Sequence, residues 1–225
     1  MRTRTYLGIT LIGTMLSVGT MAQKILSEGT LVYDVTVQTG AKEPQMADMF
    51  DGASTTILLK GSQSRTEMKS ALGSTITMMD AKSGTGFVVK EYGQQKLLIT
   101  MSQADWTDLF KKYNGISFTT TNETKTILGY TCKKAIGKMP DGSSFVVYYT
   151  TEISTENKDF DYQFKSLPGL ALEYESSVGN LKVRYTASKI SFDPVPAQKF
   201  DMQKASYRGY REMTYQESIK LKGSK

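Results

Sequence analysis

Alternation with a period of two dominates the chain from Gly29 onward. Leu31, Tyr33, Val35 and Val37 alternate with Thr30, Asp34 and Thr36, so one face of this segment is apolar and the other wet, as in a half-buried β-strand. The same pattern, cut by Gly61-Ser62, Gly73, Ser83-Gly84 and Gly93, predicts strands over residues 54–60, 63–69, 74–80, 86–92 and 95–101. Connections this short join only antiparallel neighbours, so the first half of the chain reads as a meander. A short helix is expected after Pro44, where Met46, Met49 and Phe50 have helical spacing.

The period changes at Ser102. Trp106, Leu109, Phe110 and Tyr113 fall at i, i+3, i+4 and i+7, one aromatic stripe on a helix over residues 102–114. Ser102 suits the N-cap with Asp105 as its reciprocal acid, and Asn114-Gly115 ends the helix. Strands resume over residues 117–125, 131–138 and 143–150, the last two joined by the turn Met139-Pro140-Asp141-Gly142. Residues 152–165 form a polar, broken arm in which Phe160, Tyr162 and Phe164 alternate like a short strand. Pro168-Gly169 then sets a bend, Leu170, Leu172 and Tyr174 face one side of the next strand, and a long strand follows over residues 182–192 until Pro194 and Pro196 stop pairing. Residues 203–225, with Tyr207, Tyr210, Met213 and Tyr215, are a weakly periodic tail, partly helical or disordered. The total is about eleven strands with one strong and one weak helix: a mainly β fold with minor α.

The run SLPGLALEYE, from Ser166 to Glu175, resembles the signature of the GLPGLI family of secreted Bacteroidota proteins and the equivalent segment of a related uncharacterised family of LolA/LolB-like domains. Ser166 stands where that signature has its first Gly and Ala171 where it has Ile. The Gly-x-x-Cys-Lys segment from Gly129 to Lys133 resembles the LolA-like family as well. The resemblance implies an unclosed antiparallel β-barrel with a covering helix, spanning residues 23–202. A closed, lipocalin-like barrel accounts for the same strands; the helix inserted after six of them favours the open form.

Arg2 and Arg4 precede an apolar run from Leu7 to Val18 that closes on Thr20-Met21-Ala22, a secretory signal with cleavage expected near Ala22. A periplasmic or secreted protein without a stable membrane span is expected. Removing those 22 residues from 225 leaves 203, with 26 basic against 22 acidic side chains. That excess is mild and dispersed, which argues against a nucleic-acid partner. The densest basic group, Arg208, Arg211, Lys220, Lys222 and Lys225, reads as a solvated helix face.

The chain has no His and one Cys, Cys132. Ser-His-Asp and Cys-His catalysis, redox pairs and thiolate metal sites are therefore excluded within the chain, and no cofactor or metal is expected. Cys132 reads as a small buried hydrophobe. The acid pairs Glu173 with Glu175 and Asp159 with Asp161 read as a wet sheet face and a polar arm, so no enzyme activity is expected.

Two functional readings follow. In the first, the exported protein binds a lipid or other hydrophobic ligand between its concave sheet and helix 102–114, with Trp106, Phe110, Leu109, Met78 and Met101 as the ligand-binding residues. In the second, the core is filled and the protein is a structural or interaction module whose partner is an envelope protein. An empty apolar space under the helix favours the first; a packed one favours the second.

Overall fold

The computed structural model describes residues 23–38, 51–178, 181–201 and 204–223. The expected signal through Ala22 and the expected short helix at Met46 and Met49 lie outside the described residues. Twelve strands form one sheet and two more form a separate pair, in a mainly β protein with few helices.

Six strands run as an antiparallel meander: β2 (Glu28–Gln38), β3 (Ser54–Lys60), β4 (Gln63–Ser70), β5 (Gly73–Asp80), β6 (Thr85–Tyr92) and β7 (Gln95–Met101). A second run is built from β8 (Ser117–Ile127), β9 (Tyr130–Lys138), β10 (Ser144–Thr150), β12 (Leu170–Val178) and β13 (Leu181–Ser191). The halves are joined by β13 pairing antiparallel with β2, Tyr185 opposite Val35 and Ala187 opposite Tyr33. Tyr33 donates its buried hydroxyl to the Ala171 carbonyl at 2.8 Å, bonding β2 to β12 across the small Ala187.

Helix α1 (Gln103–Phe110), continued by a 3-10 turn (Lys111–Tyr113), connects β7 to β8. With β14 (Arg211–Thr214) at one edge, the sheet order is β14-β7-β6-β5-β4-β3-β2-β13-β12-β10-β9-β8, and those strands stand second and twelfth. Laid flat, ten spacings would cover roughly 48 Å. Eight residues of helix, three of 3-10 and a few linking residues reach only about 30 Å. The sheet must therefore curl until its two ends approach, and it stays open, with β14 and β8 as its edges.

Three strands depart from the sequence pattern. β1 (Lys24–Leu26) pairs in parallel with β11 (Ile153–Thr155), and β14 (Arg211–Thr214) adds to β7 in parallel, so the sheet is mixed rather than wholly antiparallel. Each is three or four residues long, too short to show a period. The arm residues Asp159–Phe164, with their strand-like Phe and Tyr spacing, form a 3-10 segment kinked at Asp161. Helix α2 (Tyr215–Gly223) begins on a capping box: Thr214 N donates to Glu217 Oε2 at 2.7 Å and Glu217 N to Thr214 Oγ1 at 3.3 Å. Arg211 thus lies on an edge strand, not on a helix face.

Candidate functional site

The expected site lies under α1. Ser102 caps the helix, with Asp105 N donating to its Oγ at 3.3 Å and Ser102 N donating back to Asp105 Oδ2 at 2.9 Å. These bonds from Ser102 hold the Asp105 carboxyl below its ordinary range. With the entry fixed, the next residue, Trp106, turns into the sheet and is 1 % exposed. It packs with Met79, Val88, Ile99, Met101 and Met213, with Leu109 and Phe110 partly buried around them. A Cβ added at Gly86 would lie 3.0 Å from Trp106 Cζ2. Trp106 therefore rests directly on the backbone of β6.

Four of the five predicted residues come together there: Trp106, Leu109, Phe110 and Met101. Met78 does not. It points through the opposite face of the sheet into a cluster with Phe87, Val89 and Leu98, covered by Tyr207 and Tyr210. Its neighbour Met79 faces the helix instead. Phe110 stacks on Trp106 (ring centroids 5.8 Å apart) and on Tyr162 of the arm (4.8 Å), so the stripe ties the helix to the arm.

Among the described residues, the arm supplies the one carboxyl that is strongly raised. Burial pushes Asp161 from 3.8 up to about 7. Burial, and after it the Asp161 charge, raise the neighbouring Tyr33 and Tyr174 hydroxyls as well. Because the folded pKa is raised, Asp161 favours folding fully below about pH 4, and this contribution is lost as the pH climbs to about 7. Other carboxyls with lowered values, such as Glu67 and Asp80, act below that window in the opposite sense. Asp161→Asn is expected to flatten stability between pH 5 and 8 and to add roughly 1–2 kcal/mol at pH 8, with a discount for partial exposure. Urea unfolding of both proteins at the two pH values checks this.

The remaining acids are arranged as structural pairs. Glu173 binds Lys125 and accepts from Thr186 Oγ1, Glu175 binds Arg184 at 2.9 Å, and Asp159 binds Lys165 at 2.6 Å. A glycosidase needs one acid held protonated facing one held ionised across a cleft. Here Glu173 and Glu175 are each tied to a cation, and both side chains are largely buried. Glu123, bonded to Lys134 and to the Tyr148 hydroxyl, is held below its ordinary range, and Tyr148 is pushed up to about 12 chiefly by that bond. Cys132 is fully buried, with its thiol pushed up to about 11 by burial, as befits an inert packing residue. Among the described residues, no group of three or more His, Cys, Asp or Glu side chains could hold a metal ion. No described helix is long and apolar enough to cross a membrane.

An open groove of about 640 Å³ lies elsewhere, between the end of the β6–β7 hairpin, β14 and α2. Its floor is Leu97, Ile99, Met213 and Leu221; Tyr92, Gln94 and Gln95 line the hairpin side; Lys90 and Arg211 supply its charge, while the Lys96 ammonium lies by Glu91 and Tyr210 on the other face. Strand alternation sends Glu91 to the other face, where it bonds Tyr210; Glu217 caps α2 and lies close enough to Arg211 for the two charges to interact. Nothing in the sequence pattern points to this groove, because its two walls are more than a hundred residues apart. The one local signal is the pairing of cations with apolar residues on a single strand face, Lys90 opposite Leu97 and Leu97 opposite Arg211.

With the geometry in hand, the chain can be set beside known proteins. A family model described as the N-terminal domain of the N-glycanase peptide (PNGase F-II) matches residues 49–217. Two crystal forms of PNGF-II resemble the structure, with TM-scores of 0.45 and 0.40 and 13% and 15% identity, covering 84% and 83% of this chain. The chain spans 31% of the length of PNGF-II. An uncharacterised conserved protein from Thermus thermophilus also resembles it (TM-score 0.48, 7% identity), with 84% of this chain and 91% of that one covered. No curated protein is significantly similar in sequence.

The family match overturns the resemblance to the GLPGLI and LolA/LolB-like families, and the expected lipid ligand falls with it. The ten residues that carried the resemblance describe a Pro-Gly bend entering a half-buried strand, a physical requirement that unrelated β-proteins share. The match covers 169 of 225 residues, and the chain belongs to the family of N-glycanase peptide N-terminal domains.

Proposed function

We propose that this chain is an exported, non-catalytic interaction module that works through its surface and holds a glycan-bearing partner for processing. The observation that carries this reading is the packing of the helix on the sheet: Trp106 is 1 % exposed and lies directly against Gly86, which supports a filled core there. A protein with a filled core must act from outside. The absence of His from the chain and the ion-paired state of Glu173 and Glu175 support a role without chemistry of its own. Family membership supplies the glycan, since the matched domain is part of an N-glycanase.

The test is to incubate the purified protein with an N-glycosylated peptide and its deglycosylated counterpart. The expected result is retention of the glycosylated peptide in preference to its counterpart, with neither mass changing. Release of glycan by this chain alone, or equal retention of both peptides, overturns the reading.

A further inference from the structure

We propose that the groove between the β6–β7 hairpin and α2 binds acidic saccharide units, carrying carboxylate or sulfate, of the glycan-bearing partner. This rests on the preceding reading and names where and what the module holds.

Three features converge there. The floor is apolar: Ile99 and Met213 are nearly buried beneath it, and Leu221, 42 % exposed, offers the face a ligand would meet. A pyranose ring, with C–H groups on its faces and hydroxyls at its edge, suits a platform flanked by the Tyr92 ring. The side-chain amides of Gln94 and Gln95, both exposed, offer donors and acceptors for hydroxyl groups.

Charge completes the assignment. Lys90 and Arg211, on the strand face that carries Leu97, are the cations of the groove, and no carboxylate is among its described lining residues. The Arg211 guanidinium can take a carboxylate or sulfate through two parallel bonds. A neutral glycan would make no use of this charge, and a bare anion would make no use of the apolar platform. A saccharide with an acidic group uses both. The volume of about 640 Å³ suits two or three sugar units.

Titration calorimetry of the intact protein with 3′-sialyllactose, a sulfated disaccharide and neutral lactose tests this. Both acidic sugars are expected to bind about tenfold tighter than lactose, with the advantage shrinking as salt is added. Arg211→Gln and Lys90→Gln are each expected to erase most of that advantage, with the fold of each variant checked by far-UV circular dichroism. Equal affinity for lactose, absence of saccharide binding, or tighter binding of a poly-glutamate peptide overturns the proposal. If the variant carrying both substitutions still retains the glycosylated peptide in full, the groove is wrong while the surface-module reading stands. If the chain itself releases glycan, the module reading fails, and binding of the acidic sugars still decides the groove.

Discussion

Trp106→Ala is expected to destabilise the protein by about 3–5 kcal/mol, the usual loss for truncating a buried aromatic. The site is poorly placed to collapse into the resulting cavity. On one side lies the β6 backbone at Gly86, fixed by ladders to β5 and β7. On the other lies Phe110, held between Trp106 and Tyr162. The contact also links the part of the sheet around β7 to the arm before β12, so its loss should lower the cooperativity of unfolding as well as its midpoint. Trp106→Phe supplies the control. Trp106 Nε1 is buried with no hydrogen-bond partner, so removing the indole sheds an unsatisfied donor while losing less volume. The Phe variant should cost clearly less than the Ala variant. Urea unfolding followed by far-UV circular dichroism measures both. An Ala variant as stable as the parent would mean that the space under α1 is not the filled core described here.

That core also shows which part of the structure the sequence made legible. Strands over residues 54–60 and 95–101 coincide with β3 and β7 because each is bounded by turn residues; β3 alternates cleanly, while β7 carries the apolar run Leu97-Leu98-Ile99 of a strand covered on both faces. The helix is legible for the same kind of reason, a cap and a period that agree. What alternation cannot say is which face of a strand receives the helix when both faces are covered. β5 is such a strand: Met79 meets α1 while Met78 meets Tyr207 and Tyr210, and both are buried. The assignment of Met78 to the helix side failed on that ambiguity. β14 was invisible for another reason. Its four residues contain a single buried apolar side chain, Met213, and pair in parallel with a strand more than a hundred residues earlier. The groove it helps to form could not be assembled from local pattern. The Thr214-to-Glu217 spacing that caps α2, by contrast, is a readable start signal for the helix that forms the groove's other wall.

The bend at Pro168-Gly169 carries the second large effect, and its physical cause differs from the one its sequence suggests. A Pro-Gly pair reads as a turn in which Gly relaxes the backbone. The structure gives Gly169 a steric role: a Cβ there would sit 1.9 Å from the Thr150 carbonyl oxygen and 2.8 Å from its carbon. Neither atom belongs to a side chain that could swing aside. Thr150 is itself completely buried and pairs with Leu170 at the end of the β10–β12 ladder. Accommodating a methyl group therefore requires β10 and the start of β12 to separate, which disturbs Leu170, Ala171 and Leu172, all buried, and the Tyr33 bond to Ala171. Gly169→Ala is expected to lose about 3 kcal/mol or more, at the upper end of overpacking effects. Pro168→Ala, at an exposed position, should lose under about 1 kcal/mol, mainly through the greater freedom of the unfolded chain. Thermal and urea unfolding of the two variants separate these explanations. If the bend matters as a turn, the two losses are comparable; if it matters as a close approach of backbones, the glycine variant is far the weaker, and amide exchange at Leu170 and Ala171 accelerates in it alone.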